Sequence, residues 1–161
     1  MTNNTLPSWE GSRKVLAALA RNFQGSNRIR LVVAVSGGTD SLALLHVLNS
    51  LPPDRCPDLV VAHFSHGFRP NAERRELAMV QKLASSLGLH FVHGSPDQRL
   101  ELGRRGGSVE ASAREARYSF LARVANDARA DAVAVAHTVD DQAETVLLRM
   151  IRGSGPHGIA A

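Results

Sequence analysis

Leu31-Val32-Val33-Ala34-Val35-Ser36-Gly37-Gly38-Thr39-Asp40-Ser41 is the stretch on which the fold turns. Its first five residues are apolar on both faces and rich in valine, the pattern of a strand buried inside a parallel sheet. Two glycines then permit close backbone approach. From Ser41 to Asn49 a helical period takes over, with Leu42, Leu45 and Leu48 on one side and Pro52-Pro53 as the stop. Free amides at a helix start favour an anion, and Ser36, Thr39 and Ser41 add hydroxyls. Strand, glycine turn and helix together read as a phosphate cradle. The competing reading is a tight turn with an N-cap and no ligand, since Ser and Asp are good there.

Outward from this stretch the alternation continues. Leu59-Val60-Val61-Ala62-His63, Leu89-His90-Phe91-Val92-His93 and Ala132-Val133-Ala134-Val135-Ala136 read as three more strands. Helical patterns cover Gly11–Phe23, Ala72–Leu87, Ser108–Ala128 and Val139–Ile151, with Gly88 and Gly153 as stops. The segment from Gly94 to Gly107 has neither period and is expected to be a mobile loop. Strands alternating with helices predict an α/β fold, a Rossmann-like parallel sheet with helices on both faces. Ligands of such sheets bind beyond the carboxyl ends of the strands, so the residues just after each strand become the candidates.

Bulk properties agree with one compact domain: 161 residues, 43% hydrophobic, with no repeat and no low-complexity tract. No apolar run is long enough to span a membrane, and Met1-Thr2-Asn3-Asn4-Thr5 lacks the basic-then-apolar order of a secretory signal. Cys56 is the lone cysteine, which excludes an internal disulfide and any CxxC site. A cytoplasmic location is the expectation. The net charge of +4 is carried almost wholly by arginine, with Lys14 and Lys82 the only lysines. Arginine suits two-pronged grips on phosphate, but a GC-rich genome favouring Arg and Ala codons accounts for it equally well.

The loop is not the usual triphosphate loop, because G-x-x-x-x-G-K-[ST] and any nearby lysine are missing, and it is not G-x-G-x-x-G. Asp40 would instead stand beside a bound phosphate, and a bridging Mg²⁺ relieves the repulsion between the two anions. A second cluster follows the fourth strand, at His137-Thr138-Val139-Asp140-Asp141-Gln142-Ala143-Glu144-Thr145. On a helix beginning near Val139, Asp140 and Asp141 share a side with Glu144. Such acids could hold a metal or a substrate ammonium, or merely favour a helix N-terminus. His63 and His66 suggest a metal pair, but the sequence offers no third ligand. Arg114 is spaced for an i,i+4 ion pair with Glu110, so surface pairing competes with function there.

These residues carry a family resemblance. Ser36-Gly37-Gly38-Thr39-Asp40-Ser41 resembles the S-G-G-x-D-S signature of the PP-loop ATP pyrophosphatases, whose loop holds the pyrophosphate part of ATP. Ala136-His137 through Asp140-Asp141-Gln142, Glu144-Thr145, Leu147-Leu148-Arg149 and Arg152-Gly153-Ser154-Gly155 is similar to the pattern of the tRNA(Ile)-lysidine synthetases. Ala113-Arg114-Glu115-Ala116-Arg117-Tyr118 resembles that family's helix with an arginine near the ATP phosphates, Arg117 being the better match and Arg114 the second. His63-Phe64-Ser65-His66-Gly67-Phe68-Arg69-Pro70 looks like its H-x-D-H-G-L-R-P segment, with Ser65 in place of the usual aspartate and Phe68 in place of leucine. Loss or weakening of that aspartate's polar contact is the expectation. The likeness covers Arg30 to Ala161.

The resemblance implies an AMP-forming ligase that uses ATP and Mg²⁺ to join L-lysine to the wobble cytidine of tRNA(Ile) with a CAU anticodon, through an adenylated tRNA. It implies Ser36, Gly37, Gly38, Thr39, Asp40, Ser41, His66, Arg69, Arg114 and His137 around the nucleotide, and Asp40, Arg117, Asp141 and Glu144 in catalysis. Asp40 and Asp141 are the implied metal ligands. Residues 1–161 would form a single N-terminal catalytic domain, the tRNA-gripping domains of the family lying outside this chain. Rival expectations are another PP-loop enzyme, such as a tRNA thiolase or an amide synthetase, and a non-catalytic ATP-sensing module. Paired cysteines are usual in such thiolases, and this chain has one cysteine. The oligomeric state stays open, a homodimer included.

Overall fold

The computed structural model describes residues 10–23, 29–52, 56–96, 109–136 and 146–149. Along the chain come α1 (Glu10–Asn22), β1 (Arg30–Ala34), α2 (Thr39–Asn49), β2 (Asp58–Phe64), α3 (Pro70–Ser86), β3 (His90–Gly94), α4 (Val109–Asp127), β4 (Ala132–Val135) and β5 (Val146–Arg149). The strands form one sheet in the order β3-β2-β1-β4-β5. Leu31, Val32 and Val33 of β1 are wholly buried, as a central strand covered on both faces requires. β1 pairs in parallel with β2 and with β4, and β2 in parallel with β3.

Alternation along the strands builds two cores. Leu31, Val33, Leu59, Val61, Ala132 and Ala134 face one side and meet Leu19 of α1, Leu44, Leu45 and Leu48 of α2, and Val80 and Ala84 of α3. Val32, Val60, Ala62, Val133 and Val135 face the other and meet Phe120, Leu121, Val124 and Ala125 of α4. From β1 the chain steps outward through α2 and α3 to β3. It then returns through α4 to β4 on the far side of β1, and the reversal of direction changes the face that the helix covers. The strand order therefore reverses between β1 and β4, which is where an open α/β sheet leaves a crevice.

Two sequence expectations are modified. β3 is an edge strand whose His90 and His93 are exposed and whose Phe91 and Val92 are half-buried, so it is less covered than its neighbours. The helix expected over 139–151 does not hold for Val146–Arg149, which instead pair antiparallel with β4, Val146 opposite Val135 and Arg149 opposite Ala132. A short apolar run such as Val146-Leu147-Leu148 fits helix and strand alike, and the open edge of β4 supplies the pairing partner that decides it. The other elements end within two residues of the expected bounds. Residues 97–108, the core of the expected mobile loop, lie outside the described residues.

α3 and α4 end in the same way. After α3, Gly88 takes φ +68, its N–H donates to Ser85 O and the Leu89 N–H donates to Ala84 O. After α4, the Arg129 N–H donates to Asn126 O and the Ala130 N–H to Ala125 O, but here Arg129 holds the left-handed conformation, at φ 51. A Cβ makes that conformation costly where glycine makes it free. Arg129→Gly is expected to stabilise the fold by on the order of 1 kcal/mol, seen as a rise in Tm of about 2–4 °C. An unchanged or lower Tm would show that the arginine side chain contributes more than its backbone costs.

Candidate nucleotide site

Beyond the carboxyl ends of β1, β2 and β4 lies a cavity of about 290 Å³. Ser36, Gly38 and Ser41 form one wall, Ala34, Ala62, Phe64, Leu121 and Ala136 give an apolar part, and His63, His66, Arg69, Glu73, Glu76 and Arg117 supply the polar remainder. It opens at the point where the strand order reverses.

The loop is organised by Ser41, which is buried. Its Oγ donates to Gly38 O at 2.9 Å, accepts the Ser36 N–H at 3.2 Å and shares a hydrogen bond with Ser36 Oγ at 3.2 Å. Ser36 Oγ also accepts the Gly38 N–H at 3.3 Å. Gly37 takes φ +95, and a Cβ there would meet Glu76 Cβ at 3.3 Å, so both backbone conformation and space call for glycine. No side chain caps α2, whose N-cap is Gly38. The uncapped helix start and the loop's own hydroxyls are thus directed at one place. Thr39 and Asp40 are exposed on the first turn of α2, and the cavity wall itself is made by their neighbours.

Three polar atoms around the cavity are buried without a hydrogen-bond partner: His63 Nε2, His66 Nδ1 and Arg117 Nε. Buried polar groups are normally satisfied, so this convergence marks a place built for a ligand. Arg117 reaches the cavity from α4 and Arg114 does not, although both guanidiniums stand over the Tyr118 ring, at 5.2 and 5.1 Å. Burial pushes the His66 imidazole below its ordinary value, and the charge of Arg117 adds to the effect. Among the described residues no group of three or more His, Cys, Asp or Glu gathers as a metal site.

A carboxylate clasp holds the segment after β2. Glu73 accepts the Gly67 N–H at 2.8 Å and the Arg69 N–H at 3.1 Å, reaching back from the first turn of α3. Arg69, on the cavity's edge, lies 3.9 Å from Glu76. Burial alone would raise the Glu73 carboxyl, but the amides of Gly67, Arg69 and Phe68 outweigh it and leave the group below its ordinary value of 4.5. A depressed carboxyl contributes stability that is fully present above pH 4.5 and is lost as pH falls through the lower folded value. Glu73→Gln is therefore expected to flatten the acid limb of the stability curve below pH 4.5. Equal acid sensitivity in the two proteins would show that the clasp is not the titrating element.

The Ser65 hydroxyl and His93 Nε2 share a hydrogen bond at 3.0 Å. The sequence reading missed Glu73 altogether, and it took His63 as half of a possible metal pair and as the start of the H-x-D-H-G-L-R-P-like segment. An acid in the first turn of a proline-led helix was the available signal for Glu73. The contact of His63 with Val35 O had no local signal, because the two are 28 positions apart. His137, Asp140, Asp141 and Glu144 lie outside the described residues.

Residues 11–161 match the PP-loop domain family. The chain belongs to that family. It is 45% identical over 131 residues to the tRNA(Ile)-lysidine synthase of Symbiobacterium thermophilum, covering 81% of this chain and 27% of that protein. Over 129 residues it is 40% identical to the synthase of the same name from Dehalococcoides mccartyi, covering 80% of this chain and 27% of that protein. The Thermus thermophilus synthase is 45% identical over 128 residues, 77% of this chain and 24% of its own length. This PP-loop chain thus spans about a quarter of the length of these relatives. Among solved structures, the U34-tRNA thiolase NcsA of Methanococcus maripaludis with its [4Fe-4S] cluster shares the fold, with a TM-score of 0.65, 22% identity, and coverage of 82% of this chain and 46% of the thiolase. Among the described residues no helix is long and apolar enough to cross a membrane.

Proposed function

We propose that this PP-loop chain is the ATP-using part of a ligase that joins L-lysine to C2 of the wobble cytidine of tRNA(Ile) with the CAU anticodon. The observation that carries the ATP half is the meeting, in one cavity, of the serine-bonded Ser36–Ser41 loop with the unpartnered Nε of Arg117. A donor buried without an acceptor at the mouth of an uncapped helix suits a phosphate oxygen. The tRNA and lysine half is supported by the name shared by the relatives and by the acid-rich run after β4.

On this reading the cytidine C2 oxygen attacks the α-phosphate, pyrophosphate leaves, and the ε-amine of lysine then displaces AMP. The Ser36–Ser41 loop holds the pyrophosphate part, and Arg117 balances charge developing on phosphate. His66 and Arg69, on the cavity wall, sit beside the nucleotide; His137 is placed there by the motif, and Arg114 takes a supporting part from outside the wall. Mg²⁺ suits the single carboxylate of Asp40, since that ion is commonly held by one or two carboxylates plus phosphates, and Asp141 is the proposed second ligand. When bound, the ion would neutralise phosphate charge. Asp141 and Glu144 are placed to orient the lysine amine or Mg²⁺. A cytoplasmic location accords with its tRNA substrate.

Titration of L-lysine by calorimetry, with Mg²⁺ and a non-hydrolysable ATP analogue present, tests the assignment. Lysine-selective heat, absent with arginine and lost in an Asp141→Asn, Glu144→Gln variant, supports it. Nucleotide binding with no lysine response in a chain carrying the remaining domains would sink the lysine assignment and return the choice to another PP-loop ligase.

A further inference from the structure

His63 is the most deeply buried polar side chain at the cavity, 2% exposed. Its Nδ1 lies 2.7 Å from Val35 O, the carbonyl immediately before the phosphate loop. A carbonyl only accepts, so Nδ1 carries a proton and donates it. Nε2 is buried and has no hydrogen-bond partner, and the ring belongs to a residue that lines the cavity together with Ser36, Gly38 and Ser41. In the neutral ring that atom is a lone pair, and a phosphate oxygen is also a lone pair. The two repel unless a proton stands between them.

Resting on the nucleotide reading above, we propose that His63 takes one proton from solvent at Nε2 when phosphate enters the loop, and donates it as a hydrogen bond to a phosphate oxygen. The anchored ring suits this role. Nδ1 stays bonded to Val35 O in both protonation states, so charging the ring needs no reorientation. A ring proton buried with no acceptor is costly. With phosphate bound it gains a charge-assisted hydrogen bond. His63 thereby serves as a positioning residue that admits an anion only together with a proton.

The charged and titratable groups around it are consistent with an exchange at this one ring. His93 of β3 stacks on it at 5.9 Å, and Arg117 of α4, Glu73 and Glu76 of α3, and His66 and Arg69 of the loop between β2 and α3 line the same cavity. Burial lowers His66 and His93 from their ordinary value. Those two histidines are the rival sources of any proton uptake and hence the controls.

Inorganic pyrophosphate is titrated into the full chain by calorimetry at pH 7.5, in buffers of different ionisation enthalpy. Uptake of close to one proton per pyrophosphate is expected, with a Kd that rises up to about tenfold per pH unit on the alkaline side, the limit for one linked proton. His63→Asn keeps a donor for Val35 O but has nothing at the Nε2 position; it should bind weakly with the proton uptake abolished. His63→Gln places a neutral donor near that position and should bind with little dependence on pH. His93→Gln should retain the uptake, and His66→Gln, at the nucleotide wall, should retain it per pyrophosphate bound even where its affinity falls. If the His63 variants fail to fold, the ¹⁵N shift of Nε2 in the wild-type chain decides the same question, moving from an unprotonated to a protonated value as pyrophosphate is added. Binding without uptake in the wild type, or uptake unchanged in His63→Asn, overturns the proposal and leaves the phosphate reading standing. No pyrophosphate binding by the folded wild type overturns both.

Discussion

Arg117→Ala is expected to weaken binding of an ATP analogue about ten- to hundredfold, the effect of removing a hydrogen bond to a charged group. The unusual part is what should happen to stability. Arg117 Nε is a buried donor without a protein acceptor, and a donor buried unpaired costs free energy that its removal returns. The variant is therefore expected to melt at the same temperature as the wild type or slightly above it, the lost ring contact to Tyr118 opposing the gain. Arg117→Lys keeps the charge but lacks the Nε donor and should fall between the two in affinity. Arg114→Ala, outside the cavity wall, should weaken binding less than Arg117→Ala does. Unchanged affinity in Arg117→Ala would show that the guanidinium does not face the anion.

The largest effect on folding is expected at Gly94, the last residue of β3. A Cβ there would stand 2.4 Å from two ring atoms of Phe120. Phe120 is buried, and its ring packs at 5.4 Å from that of Phe64, so it has little room to retreat. The Gly94 carbonyl is engaged as well, accepting the Ser65 N–H at 2.8 Å, which ties the strand end to the segment after β2. Overpacking of this kind costs about 1–3 kcal/mol. Gly94→Ala should lower the Tm by about 2–4 °C for each kcal/mol. Adding Phe120→Leu should then cost less than it does in the wild-type background, because the smaller side chain relieves the clash. Additive losses would mean that the backbone, not the ring, absorbs the new methyl.

The fold was legible in the sequence to the extent that local pattern decides it. Leu31–Val35 and Ala132–Ala136 read as buried strands, and Pro70 and Gly88 bracket α3 as start and stop signals do. The phosphate loop was legible for the same reason, since its glycines and serines bond among themselves within a few positions. What escaped was set by partners distant in sequence. The ring of His63 is set in the site by Val35 O, across the β1–β2 pair. Val146–Arg149 became a strand because β4 offered an edge. Glu73 lay between, a local contact whose purpose shows only once the loop it clasps is seen to border the cavity.

The return of the chain through α4 has a kinetic consequence. Pairing of β1 with β4 joins Leu31 to Ala132, about 100 positions apart, and contacts of such separation form late because the closure entropy must be met first. The unit from β1 to β3 can assemble earlier from neighbouring pieces, and it already contains the Ser36–Ser41 loop. Arg117 and Ala136 arrive only with the last crossing. A ligand that needs the finished cavity should therefore leave the refolding rate untouched and slow the unfolding rate instead, since its contacts are absent from the transition state. Protection by nucleotide against a protease would then grow with time of exposure rather than appear during refolding.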